Sequence, residues 1–292
     1  MAVAETGTGW ADGIAELVKN VPDYQLKEGD IFSKDGLKIV CSECHEVKRV
    51  RKETGLFGVY WALPETGGCA CERKAAEEKR RQTEREEFLS FWDSERFLKL
   101  MGKRYIGKTF ERLVKVDNQS YEAVRDRCEK YVSSIDISLK KGYGLYIFSA
   151  QSGNGKTTLL ACVRNALIEK QVPTVFIGYN NLIELAKNGE LDGISYKGVK
   201  EVPVLIIDDI GSEDLRRNEA RGEWVNGILE KLIDYRHDNL LCTLFSGNYS
   251  IKQLQSIRGY KAKTVDRIVE LATKVFEIQG DSFRGQEWEM RT

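Results

Sequence analysis

The chain has 292 residues, 41% of them hydrophobic and 31% charged, with 45 basic and 45 acidic residues and a formal net charge of zero. That length suits one or two domains, and the hydrophobic share is enough for a packed core. Balanced charge excludes a global field that would draw the protein to nucleic acid or membrane, so any such binding must come from local patches. No apolar run reaches the roughly 18 residues of a membrane span, and Met-Ala-Val-Ala-Glu-Thr-Gly at the start lacks the blocks of a secretory signal. The expected location is cytoplasmic, with the seven cysteines serving as metal ligands or reduced thiols rather than disulfides.

Residues 1–40 are weakly patterned, with a helical turn or two over Ile14–Val18. Cys41-Ser-Glu-Cys44 and Cys69-Ala-Cys71 follow. A Cys-x-x-Cys knuckle can point two thiolates at one ion, and a second pair returning from a hairpin completes a tetrahedron around Zn²⁺. The metal would supply folding energy that so small a module lacks. His45 is an alternative ligand, and Tyr60 and Trp61 are expected to pack over the site. Residues 72–104 read as a charge-dense helix whose acidic and basic side chains alternate at helical spacing. Phe88, Phe91, Trp92, Phe97, Leu98 and Met101 give its C-terminal half an apolar face, so it reads as a linker that docks by that half. Its basic clusters are candidate DNA contacts, although a solvated face is the plainer reading.

Residues 105–143 lead in, with a helix over 121–135 that sets Val124, Cys128 and Val132 on one side. Cys128, Cys162 and Cys242 lie in apolar patterns and read as core. From residue 144 strands and helices alternate, which predicts α/β architecture with a parallel sheet. The expected strands are 145–149, 173–178, 203–208, 241–246 and 274–278. The expected helices are 156–170, 180–187, 219–237, 251–256 and 263–272.

The first of these strands runs into Ala150-Gln-Ser-Gly-Asn-Gly-Lys-Thr157 and then a helix, the layout of a P-loop. Gly153, Asn154, Gly155, Thr157 and Thr158 would cradle phosphate at a helix N-terminus, with Lys156 as the point charge and Thr157 on Mg²⁺. Ala150 stands where the motif usually has its first glycine. The third strand ends in Asp208-Asp209, which puts two carboxylates beside the P-loop. Asp208 would hold Mg²⁺ through water and Asp209 would orient or deprotonate the attacking water. An aspartate is one methylene shorter than the glutamate usual there, which fits slow turnover. Asn248 after the fourth strand would sit between the γ-phosphate and that water. Arg267 could reach the γ-phosphate of a neighbouring subunit, with Arg258 as competitor, and Arg284 of Asp281-Ser-Phe-Arg284 could contact nucleotide in its own chain.

With Gly153-Asn-Gly-Lys-Thr157, Leu205-Ile-Ile-Asp-Asp-Ile-Gly211, Phe245-Ser-Gly-Asn248, Val265-Asp-Arg-Ile268 and Asp281-Ser-Phe-Arg284 in this order, the chain resembles the AAA+ ATPases of the DnaC/DnaI/IstB group over about residues 104–288. Leu232-Ile-Asp-Tyr-Arg236 also looks like the group. The resemblance implies a P-loop AAA+ five-stranded parallel sheet with little or no helical lid. It makes Asn248 sensor 1, Arg267 the arginine finger and Arg284 sensor 2, with ATP and Mg²⁺ as cofactors. The cysteine-rich N-terminal module is most similar to DnaI-type helicase loaders.

That likeness implies three regions: a helicase-interacting zinc module over 1–71, a linker over 72–104 and an ATPase domain over 105–292. It also implies a replicative hexameric helicase and single-stranded DNA as partners, and self-association into a hexamer on the helicase. Candidate DNA contacts are Tyr196 and Lys197 in the loop 188–200, and Arg216-Arg217. A transposase helper of the IstB type and a non-hydrolysing nucleotide-binding adaptor are the alternatives.

Overall fold

The computed structural model describes residues 30–54, 58–191, 193–211, 219–256 and 260–283. Ile14–Val18, Arg216, Arg217, Arg258 and Arg284 lie outside them. The chain divides into two compact units, residues 1–86 and 87–292.

The first unit holds an antiparallel sheet that the sequence does not announce: β1 (Ile31–Phe32), β2 (Lys38–Val40), β3 (Val47–Thr54) and β4 (Gly58–Ala62), in that order. Its strands are too short and too basic to show a clear alternation. One ion pair anchors them. Lys48 of β3 reaches Asp30 at 2.7 Å with both side chains buried, and Asp30 also accepts the Ser42 N–H at 3.1 Å. Burial works to raise the Asp30 carboxyl, but Lys48 and Ser42 outweigh it and hold it below its ordinary value. Trp61 packs on Phe32, ring centroids 5.9 Å apart, while Tyr60 is exposed. The aromatic cover expected over the cysteines is therefore turned to β1 and to solvent.

Helix α1 (Ala70–Trp92) carries the charge-dense run, and none of its residues is buried. The single helix expected to run on to Met101 breaks at Asp93-Ser94, and α2 covers Glu95–Met101. One local and one distant contact mark the break. The Ser94 hydroxyl donates back to the Phe91 carbonyl at 2.6 Å, and the Asp93 carboxylate accepts from Arg164 at 2.5 Å. Phe97 and Leu100 of α2 then enter the core beside β6 (Thr174–Gly178).

Helix α3 (Gln119–Ser133) is capped by the Asn118 side chain and buries Val124, Cys128 and Val132 as expected, and α4 (Ile135–Lys141) follows as a separate turn. The expected five-stranded parallel sheet is present. It comprises β5 (Leu145–Phe148), β6, β9 (Val204–Ile210), β10 (Cys242–Gly247) and β11 (Lys274–Glu277) in the order β11-β5-β10-β9-β6. Between β6 and β9 a small hairpin, β7 (Glu190–Leu191) with β8 (Ile194–Ser195), replaces the open loop expected at 188–200.

Alternate strand residues feed two cores, as period-two geometry requires of a sheet covered on both faces. Val175, Ile177, Leu205, Ile207 and Phe245 face one side, while Phe176, Val204, Ile206 and Leu244 face the other. Cys128, Cys162 and Cys242 are fully buried in the second core. α5 (Lys156–Glu169) and α3 cover that face. α6 (Tyr179–Asn188), α8 (Glu219–Asp238), α9 (Ile251–Ser256) and α10 (Ala262–Ala272) contribute to the other.

Candidate nucleotide site and cysteine cluster

The loop between β5 and α5 turns on two glycines. Gly153 and Gly155 have φ of 85° and 87°, which L side chains avoid. A Cβ on Gly155 would also stand 2.6 Å from the Tyr121 ring. Ala150 is not among the positive-φ residues, so alanine at that position meets no conformational penalty. Asn154 is buried and donates to Ser149 and, at 3.4 Å, to the Ile278 carbonyl. Phe283 N–H donates to the Gly153 carbonyl at 3.0 Å, and the Phe283 ring meets Tyr121 edge-on at 5.3 Å.

The side chains singled out from the sequence converge here. Lys156 is largely buried, and its ammonium donates to the Gln151 carbonyl at 3.1 Å, to Asn154 Oδ1 at 3.3 Å and to Asn248 Oδ1 at 3.0 Å. Asn248 in turn donates from Nδ2 to Asp209 Oδ1 at 3.3 Å. Thr157 Oγ1 donates to Asp208 Oδ1 at 3.2 Å. Burial pushes the Asp208 carboxyl above its ordinary value, and the Ser246 and Thr157 hydroxyls pull it back only in part. With the Thr157 hydroxyl, the Asp208 carboxyl forms an oxygen donor set suited to Mg²⁺. Thr158 follows in the first turn of α5, half-buried.

Arg267 stands apart from this group. On α10 it pairs within its own chain, with Glu270 at 2.5 Å, Asp234 at 3.7 Å and His237 at 3.1 Å. The Glu270 hydrogen bond, first among the causes, raises its already high pKa. Tyr196 begins α7 (Tyr196–Glu201), half-buried against the core. Lys197, the next residue, is exposed.

In the first unit the cysteines gather from two places. Cys41 and Cys44 flank the turn between β2 and β3. Cys69 and Cys71 open α1, so the second pair comes from a helix N-terminus and not from the hairpin expected. The thiols of Cys41, Cys44 and Cys69 lie within 4.8 Å of one another, as do the ligand atoms of Cys41, Glu43 and Cys71. Thiolates around Zn²⁺ would sit about 3.8 Å apart at Zn–S bonds of roughly 2.3 Å, within the 4.8 Å that bounds each trio, although among the described residues no one group takes in all four expected cysteines. Backbone N–H groups of Cys71 and Glu46 lower Cys44 to about 6, while Glu43 first and then Cys44 push Cys71 up to about 12. His45, at φ 59°, belongs to neither group among the described residues.

No protein-family model matches the chain. Over 235 residues it is 28% identical to the replicative helicase loader DnaI of Bacillus subtilis (strain 168), a match spanning 74% of this chain and 67% of that protein. A crystal structure of DnaI matches with a TM-score of 0.51 at 25% identity, over 65% of this chain and 100% of the other. A crystal structure of the DnaC helicase loader matches with a TM-score of 0.51 at 26% identity, over 61% and 100%. The chain resembles the DnaC/DnaI group of AAA+ proteins.

Within this DnaI-like frame, sequence reasoning missed two supports of the site and one buried tie at the opposite end of the sheet. Tyr121 lies on the lead-in helix and closes over Gly155. Ser246 lies on β10 and touches both aspartates. Arg236 is wholly buried and, among the described residues, is held by carbonyl and hydroxyl oxygens rather than by a carboxylate. It donates to the carbonyls of Lys200, Val202 and Cys242 at 2.6–2.9 Å and to Thr243 Oγ1 at 2.9 Å. A polar residue inside a strand or an apolar helix face was the available signal in each case.

Proposed function

We propose that the chain is an ATP-dependent loader that binds a replicative hexameric helicase and delivers it onto single-stranded DNA. The observation that carries the reading is the junction of Lys156, Thr157, Asp208, Asp209 and Asn248 at one end of the sheet. The likeness to DnaI, named a replicative helicase loader, supports it.

Gly153 to Thr158 would hold the phosphates, with Lys156 neutralising them and Thr157 and Asp208 holding Mg²⁺. Bound there, Mg²⁺ would supply the charge that polarises the terminal phosphate. Asp209 is exposed and would orient or deprotonate water, with Asn248 fixing its carboxylate. Arg267 would leave its own acids to serve a neighbouring subunit's nucleotide, and Arg284 would serve its own. Residues 1–71, holding Zn²⁺ through Cys41, Cys44, Cys69 and Cys71, would grip the helicase, and 72–104 would link that module to the ATPase domain. ATP binding would bridge subunits into a hexamer on the helicase, and slow hydrolysis would release the loader.

The test is the mass of the complex formed with the source organism's replicative helicase, in ATP and in ADP. A large assembly that forms with ATP, and fails to form when Cys41 and Cys44 are changed to serine, is the expected result. No complex in either nucleotide would remove the loader reading and favour a transposase helper. The ATPase reading would survive, because it rests on residues 150–284 alone.

A further inference from the structure

The two acids at the end of β9 pose a geometric problem. Neighbouring residues of a regular strand point to opposite faces, yet Asp208 meets Thr157 while Asp209 meets Asn248, both residues of the same site. The register between β10 and β9 shows how this happens. Phe245 pairs with Ile207 and Gly247 pairs with Ile210, so Ser246 alone stands opposite Asp208 and Asp209. This is a β-bulge, the device that inserts one residue and re-aims a side chain. Asp209 takes the strain, with φ at 64°, a region costing roughly 1–3 kcal/mol for a non-glycine residue.

Ser246 occupies the one place from which both acids can be reached. Its side chain is buried. The hydroxyl hydrogen goes to Asp208 Oδ1. The hydroxyl oxygen accepts the Asp209 backbone N–H at 2.9 Å, the donor that the bulge removes from the ladder. A hydroxyl has one donor and two acceptor sites, so a single side chain serves both contacts, and alanine serves neither.

We propose that Ser246 is a positioning residue for nucleotide hydrolysis, holding the bulge that turns Asp208 to the magnesium position and Asp209 to the water position. The proposal rests on the ATPase reading above. It assigns Ser246 no contact with substrate. Its action is through the two aspartates, so its loss weakens the Mg²⁺-dependent part of nucleotide binding and slows turnover, while the P-loop's own grip on phosphate persists.

The experiment uses the full chain and a fluorescent ATP analogue, titrated with Mg²⁺ and also measured in EDTA, beside steady-state ATPase kinetics. For Ser246→Ala the Mg²⁺ midpoint should rise about tenfold, the loss expected for one hydrogen bond to a charged group. kcat should fall by at least as much, with affinity in EDTA within about twofold of wild type. Ser246→Thr, which keeps the hydroxyl, should recover most of both. A Ser246→Ala protein with the wild-type Mg²⁺ midpoint and kcat would overturn the proposal. So would an equal loss of affinity in EDTA and in Mg²⁺, which would make Ser246 a packing residue. Failure of the ATPase reading has a different signature: a wild-type chain that binds the analogue without any response to Mg²⁺ and does not turn it over.

Discussion

Asp209 and Asn248 meet through single atoms whose chemistry can be changed one at a time. The Asn248 amide spans the gap between Lys156 and Asp209, its oxygen on the ammonium and its nitrogen on the carboxylate. Asn248 is therefore placed to sense what lies between those charges. Asp209→Asn keeps the size of the side chain and its hydrogen-bonding reach but removes the charge and the basicity. The expected outcome is Mg²⁺-nucleotide affinity within a few fold of wild type and turnover reduced by about 10²-fold or more, since a positioned general base contributes roughly that much. Equilibrium binding and steady-state phosphate release on the same preparation check it. Unchanged turnover would take Asp209 out of the mechanism, whereas a wild-type chain that binds nucleotide and releases no phosphate would favour a non-hydrolysing adaptor.

At the scale of the elements, Arg236 stands out. It is a cation buried among carbonyls at the point where α7, α8, β9 and β10 start or finish. Burial pulls its pKa down to about 9, which still leaves it protonated at neutral pH. Its fork of donors satisfies carbonyl groups that those element ends would otherwise bury unpaired. Arg236→Ala should therefore cost several kcal/mol, since each carbonyl left buried without a partner costs about 1–3 kcal/mol. Arg236→Lys should recover little, because three donors on one nitrogen cannot reproduce the fork. Urea unfolding of a fragment covering 87–292 measures both.

Elements of this kind also mark where the sequence was legible. The five parallel strands could be read to within a residue or two, because short apolar runs bounded by glycine and proline are what a buried parallel strand requires. The P-loop and the paired acids stood out by residue type. The antiparallel sheet of the first unit did not, since its short strands carry Lys48, Arg49, Arg51 and Lys52 and bury few apolar side chains. The bulge at Ser246 was also invisible, because register is a relation between two strands and neither strand states it alone. The break at Asp93-Ser94 depended on Arg164, which is distant in sequence.

At the scale of the whole molecule, the two units are stabilised by different means. The unit over 87–292 has two cores packed on a sheet. Among its described residues the unit over 1–86 has a small sheet, a buried ion pair and a group of thiols, and modules of that size commonly depend on a metal. A strong chelator should therefore unfold the first unit and leave the second intact. Calorimetry should show the low-temperature transition vanish while the main one stays, with fluorescent-nucleotide binding unchanged and about one Zn²⁺ released per chain. Loss of both transitions together would show that the units fold as one. Helicase binding should disappear with the first transition if residues 1–71 form the grip.

The phosphate-binding loop is stitched from three stretches of chain. Gln279 N–H donates to Ser120 Oγ at 2.9 Å and Asn118 donates to the Gln279 carbonyl at 2.7 Å, across 159 and 161 positions of sequence. Phe283 then closes on Gly153 and Tyr121. Contacts between such distant positions close a long loop and form late. The consequence is one of timing during synthesis. A nascent chain that has emerged as far as α10 already contains every residue of the P-loop, but not the 278–283 segment that braces it. A half-made chain therefore carries the loop without its brace, and the loop is expected to reach its final shape after the strands and helices that precede residue 278.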